Sequence, residues 1–138
     1  MFASGRALVL VLRVVGVVTL LALGAVFMPH VWMSAIHERM GLGPLAETPI
    51  IGYLTRSLSG MYAVHGALLL YMSCDVARYL PAIRFLAALT LIAALGLLAL
   101  DLSMHMPTGW TLAEGPVVLL IGASLLLLPA PPRSETEF

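Results

Sequence analysis

LPAIRFLAALTLIAALGLLAL, residues 80–100, holds one charge near its start, Arg84, and then runs to Leu100 on Phe, Leu, Ala, Thr, Ile and Gly alone. A helix needs about 20 mostly apolar residues to cross the hydrocarbon of a bilayer, and this stretch has that length. In lipid a backbone satisfies its polar groups only as a helix or in a closed barrel, so the stretch reads as a transmembrane helix. The same reading applies to residues 7–28, 52–73 and 110–128. Together the four predict an all-α, polytopic membrane four-helix bundle, one domain over residues 1–128, with residues 129–138 as a Pro-rich, then polar, disordered tail. The short turn from Cys74 to Pro81 predicts that the second and third spans are antiparallel neighbours.

Composition agrees. Apolar residues make up 61% of the 138 and charged residues 10%, with a mean hydropathy of +1.03; a soluble domain is nearer half apolar and a quarter charged. Seven Arg balance seven acidic residues and there is no Lys. That gives no clustered basic surface and argues against a nucleic-acid partner. The one cysteine, Cys74, has no internal disulfide partner. Arg6 and Arg13 ahead of the apolar run Val14 to Phe27, with Ala22-Leu23-Gly24 as a small-x-small site, imitate a signal peptide. The apolar run continues through Met28, so an uncut first helix is the better reading.

Between the spans the residues change character. Arg6 and Arg13, seven apart and on one helix face, are expected to snorkel to the headgroups. After Pro29, Val31 to Met40 predicts a short amphipathic helix lying in the interface. Trp32, Met33, Ile36 and Met40 fall on one side, His30, Ser34 and His37 on another, and Gly41 is a C-cap. Gly43-Pro44 and Thr48-Pro49 stop any continuation. In the second span Ser59, Ala63 and Ala67 form a small-xxx-small ladder that invites a neighbouring helix. Pro116 is expected to kink the fourth span. Arg6, Arg13, Arg78, Arg84 and Arg133 lie on one side of this topology and Arg39 and Arg56 on the other. The positive-inside rule then places both termini inside.

In that orientation the polar residues gather toward the outer interface. Asp101 and His105, four apart, share a face if the third helix continues that far, and a carboxylate there would orient the imidazole. Glu114 enters the fourth span at the depth where Arg56 enters the second, which makes them a candidate ion pair. The plainer account of such a pair is charge neutralisation that fixes helix register. His65 lies near the middle of the second span with Tyr62 three residues before it. Its plain account is a hydrogen bond to a neighbouring helix, and its functional one a ligand-binding group or proton relay. A bis-His haem would want a second mid-span histidine, and the other three His are near the outer face. No H-E-x-x-H motif or cysteine cluster offers a zinc site, and the eight Met read as apolar filler rather than copper ligands. No metal or cofactor is expected.

The run Arg56 to Gly66 (RSLSGMYAVHG), followed by Asp101 to Pro116 (DLSMHMPTGWTLAEGP), resembles small bacterial four-helix integral membrane proteins of no assigned activity. There an Arg-x-x-x-Gly-x-Tyr-x-x-x-Gly pattern opens the second span, and an Asp, a Met-Pro, a Trp-Thr and a Glu-Gly-Pro surround the third loop. The resemblance covers the last three spans and singles out Arg56, Tyr62, Asp101, Trp110, Glu114 and Pro116.

The expectation is a small integral membrane protein that is not an enzyme. It would bind a lipid-like or other apolar ligand, or a partner subunit, through an outer-leaflet polar pocket of Arg56, Tyr62, His65, Asp101, His105, Trp110 and Glu114. Arg56 would anchor an anionic head. One alternative is a membrane enzyme or metal-binding protein using Asp101, His105 and Glu114, although no nucleophile stands in a recognisable setting. A third is a transporter component, which would have to oligomerise because one chain has too few charges to line a pore.

Overall fold

A computed structural model describes residues 2–131, and these are helical in six segments: α1 (Phe2–Leu20), α2 (Leu23–Val26), α3 (His30–Arg39), α4 (Pro49–Met72), α5 (Val76–Ser103) and α6 (Thr108–Leu127). The expected tail lies, from Pro132 onward, outside the described residues.

Among the described residues three helices are long and apolar enough to cross a membrane: Arg6–Val26, Val76–Ser103 and Thr108–Leu127, with mean hydropathies of 2.6, 2.3 and 1.7. That is consistent with a helical membrane protein. The fourth expected span, α4, has the length, at 24 residues, but Arg56, Ser57, Ser59, Tyr62 and His65 lower its hydropathy.

Local chemistry sets the ends. Thr48 caps α4 by accepting from the Ile51 amide at 3.4 Å, with Pro49 at the first helical position, where no partner for its nitrogen is needed. Asp75 caps α5 by accepting from the Arg78 amide at 3.0 Å. This cap starts α5 at Val76, ahead of the expected Leu80, and places Pro81 inside the helix, where the only bond lost is the one to Ala77. The first span is interrupted after Leu20, next to Thr19, whose Oγ1 donates back to the Val15 carbonyl at 2.8 Å. The next turn runs on three-residue bonds, Ala22 to Thr19 and Gly24 to Leu21, before α2 resumes. The short helix expected after Pro29 forms as α3, with Trp32 exposed.

The helices do not pair as the short turn predicts. α4 packs on α1 and α2, α5 packs on α6, α1 joins the two pairs through α6, and α4 and α5 barely touch. Small residues explain the choice. A Cβ on Gly66 would lie 2.5 Å from the Gly16 carbonyl oxygen and 2.5 Å from the Leu20 nitrogen, so the α1 and α4 backbones meet where only glycine fits. On the other pair, a Cβ on Gly122 would come 3.0 Å from Leu91, and one on Gly115 3.2 Å from Leu98. The expected ladder is therefore shifted: Ala63 is buried, but Ala67 is exposed and Gly66 takes its place. A helical face advances by 3.6 residues, so a contact ridge through Ser59 and Ala63 next reaches Gly66.

The four long helices meet at one end of the molecule. Leu8 and Leu12 of α1, Leu69 of α4, Val76, Ile83 and Ala87 of α5 and Leu125 of α6 form one buried cluster. Away from it the outward faces are apolar and open, with Leu10, Phe85, Ile92, Leu120 and Leu127 all more than 60% exposed. Such a surface suits lipid rather than water.

Gly66→Ala is expected to destabilise the purified protein by about 1–3 kcal/mol, because the obstructing atoms are backbone. Gly60→Ala, which meets nothing within 4 Å, should be neutral or mildly stabilising. Denaturant titration followed by circular dichroism in detergent distinguishes the two; equal effects would refute the close approach.

Candidate functional site

The seven residues singled out by sequence do not form one pocket. Arg56, Tyr62 and His65 stand on α4, while Asp101, His105, Trp110 and Glu114 stand at the junction of α5 and α6. α4 and α5 barely touch, so the two groups belong to different helix pairs.

Arg56 and Glu114 are not partners. The Arg56 guanidinium donates through Nη2 to the Met28 carbonyl at 3.2 Å and through Nη1 to the Gly52 carbonyl at 3.2 Å. Met28 follows the last turn of α2, where helical carbonyls have no partner of their own, and a cation is favoured there by the helix dipole. Gly52 leaves room for the guanidinium, since a Cβ there would lie 3.1 Å from Nη1. Arg56 thus clasps the end of the first span to α4. Glu114 instead accepts from Trp110 Nε1 at 2.7 Å, one turn away on the same helix.

Asp101 and His105 do not share a helix face. α5 ends at Ser103, and the chain closes it with a bond from the Met106 amide to the Asp101 carbonyl at 3.0 Å and one from the His105 amide to Leu102. This closure requires a left-handed residue at the position His105 occupies, and its φ is 53°. The side chain is turned out and exposed. Gly41 plays the same part after α3, with φ 80°, bonding from its amide to Glu38 while Leu42 bonds to His37.

The Asp101 side chain is 4% exposed, and its Oδ2 is buried without a hydrogen-bond partner among the described residues. Leu91 faces Gly122 and Leu98 faces Gly115, so the antiparallel register sets Asp101 level with Leu112, between Trp110 and Glu114. Close by, Gly41 lies against Pro107: a Cβ there would stand 3.8 Å from the ring. The loop after α3 therefore reaches the start of α6.

The polar side of α3 holds its own loop. His37 Nδ1 donates to the Gly43 carbonyl at 2.7 Å, His30 Nε2 donates to Ala46 at 3.4 Å, and Ser34 Oγ accepts from the Leu45 amide at 3.2 Å. The polar side formed by His30, Ser34 and His37 is thus covered by a folded-back segment. On α4, Tyr62 is 45% exposed and His65 half-buried. Neither side chain has a hydrogen-bond partner among the described residues. The described residues hold no group of three or more His, Cys, Asp or Glu placed to ligate a metal.

Two features escaped the sequence reading. Arg84, read only as a topological charge, donates to the carbonyls of Leu125, at 2.7 Å, Leu126, and Leu128, at 2.6 Å, closing the C-terminal end of α6. Tyr71 and Tyr79 hydroxyls meet at 2.6 Å across the α4–α5 turn, with the Arg78 guanidinium 5.6 Å from the Tyr79 ring centre. Their spacing of eight residues across a capped turn was the available signal.

Comparison of the chain with protein-family models, with curated proteins and with solved structures found no match.

His105→Gly is expected to keep or raise thermal stability, since glycine enters the left-handed region freely, whereas His105→Val should cost about 1–2 kcal/mol. Arg56→Met should cost about 1–3 kcal/mol by leaving the Met28 carbonyl unpaired. Melting curves in detergent check both; an unstable glycine variant would show that the imidazole itself holds the loop.

Proposed function

We propose that this chain is a non-catalytic subunit of the bacterial inner membrane that crosses it four times, with α4 as the fourth span. On this reading its function is to join a partner helix along the open side of α4. The observation that carries the proposal is the pair Tyr62 and His65: two polar side chains on a helix that α5 leaves uncovered, with no hydrogen-bond partner among the described residues. Lipid tails offer such groups nothing, so a protein partner with its own polar groups is favoured over bare lipid. The exposed positions Leu54, Leu58, Met61 and Val64 supply apolar contact around them. A second copy of this chain is the partner to test first, because a two-fold interface sets the same face against itself and lets His65 of one copy meet Tyr62 of the other. Kinship with the small bacterial four-helix membrane proteins is part of the same proposal.

The orientation proposed is both ends inside. The buried cluster gathers the first half of α1, the α4–α5 turn and the end of α6 at one end, and that end carries Arg6, Arg13, Arg78 and Arg84. Arg39 and Arg56 lie toward the other.

A second reading has separate support at the α5–α6 junction. The unpartnered Oδ2 of Asp101 suits a small, mostly apolar ligand that brings one hydrogen-bond donor. Native mass spectrometry of the detergent-purified protein tests it: a small molecule retained by the wild type and lost in Asp101→Asn would favour it, and an empty wild type would sink it.

In liposomes, energy transfer between labelled copies should report self-association that weakens about tenfold in a His65→Leu, Tyr62→Phe variant, the effect of losing one or two interhelical hydrogen bonds. A monomeric wild type, or a variant that associates equally well, would overturn the self-association. Cys74 lies exposed in the α4–α5 turn. A membrane-impermeant maleimide should label it in inverted vesicles and not in right-side-out ones; the reverse pattern would invert the orientation.

A further inference from the structure

The end of the molecule that carries most of the arginines does not use them all alike. Arg84 is spent on the carbonyls that end α6, and Arg78 lies over the Tyr79 ring. Arg6 and Arg13 have no hydrogen-bond partner among the described residues. Seven residues apart, they stand on one face of α1, two turns or about 10 Å along the axis. Between them lie Val9 and Leu10, and Pro131 of the chain beyond α6 closes the far wall. The five residues enclose an open groove of about 380 Å³. That volume falls in the range of small-molecule sites.

We infer that this groove is a binding site for one acidic phospholipid, its phosphate held between Arg6 and Arg13 and the start of an acyl chain laid along Val9 and Leu10. The charge sets the occupant. Two guanidiniums with no carboxylate among the lining residues favour a headgroup of net negative charge, whereas the ammonium of a zwitterionic headgroup would meet repulsion. Arginine suits the role because its planar fork engages phosphate oxygens in pairs. The depth agrees. The same end carries the Tyr71–Tyr79 pair, of the aromatic type that collects at headgroup level, and its core joins Leu8 and Leu12 to Val76 beside the α4–α5 turn. Arg13 then lies about two turns deeper than Arg6, where a guanidinium needs an anion drawn in or must reach up to one. The inference rests on the reading that these helices lie in a bilayer, and on no partner for α4.

The test is lipid titration of the detergent-purified full chain by native mass spectrometry, with phosphatidylglycerol against phosphatidylcholine. The wild type should retain one phosphatidylglycerol in preference, and Arg6→Gln with Arg13→Gln should lose about twenty-five-fold of that preference, about fivefold for each arginine. Arg39→Gln, which removes an exposed arginine of α3 outside the groove, should leave it unchanged. Leu10→Trp keeps both charges and fills the groove, so it too should displace the lipid; circular dichroism and carbonate extraction verify that each variant folds and inserts. Equal retention of both lipids by the wild type would overturn the inference. So would an equal loss in Arg39→Gln, or competition by inorganic phosphate as effective as by the lipid. Phosphatidylglycerol binding that emerges only in Glu135→Gln, Glu137→Gln would overturn it as well, by assigning the groove to acidic residues of this chain.

Discussion

A close approach between two glycines decides which helices pair, and the arrangement of the helices follows from it. Gly66 of α4 lies so near Gly16 and Leu20 of α1 that a methyl group would strike backbone. Where lipid is the solvent there is no hydrophobic drive for helices to associate, so dispersion between closely set backbones carries much of the association. That contact assigns α4 to α1. Leu91 and Leu98 of α5 meet the glycines of α6 in the same way, and the chain becomes two helix pairs joined at one end by a small apolar cluster. The open side of α4, on which the proposed partner docks, is a consequence of this pairing.

Helix ends impose the second constraint. The last four carbonyls of a helix have no partner within it, and near hydrocarbon there is little water to supply one. Long arginine side chains solve this twice: Arg56 reaches the end of the α1–α2 span and Arg84 the end of α6, each from a neighbouring helix. Each bond therefore also ties two helices together. At the ends of α3 and α5 the backbone closes on itself through Gly41 and His105. A residue that looks catalytic by type, His105, is thereby explained by backbone geometry, and a pair that looks ionic by depth, Arg56 and Glu114, is two separate hydrogen-bonding arrangements.

The helices themselves were legible. Apolar runs located all four long segments to within a few residues; the caps at Thr48 and Asp75, which fix where α4 and α5 begin, were not read from the sequence. The site was less so. Depth along a span says only which residues share a level. It does not say which face each takes or which helix is adjacent. His30, Ser34 and His37 illustrate the limit: their pattern marks a polar face, but only the fold-back of Gly43–Ala46 reveals that this face binds backbone.

By itself the sequence determined that the long apolar runs are helices, because hydrophobic length and backbone hydrogen bonding are local properties that each segment carries alone; it counted four spans, of which three helices have the hydropathy to cross a bilayer. The tertiary structure decided which helices touch, what Arg56, Arg84 and Glu114 bind, and that Asp101 is buried with an oxygen unmet. Those outcomes depend on the rotation of each helix about its axis and on contacts between residues far apart in the chain. A few small side chains set them by letting two backbones meet, and whether a given glycine will be among them is not written in the glycine.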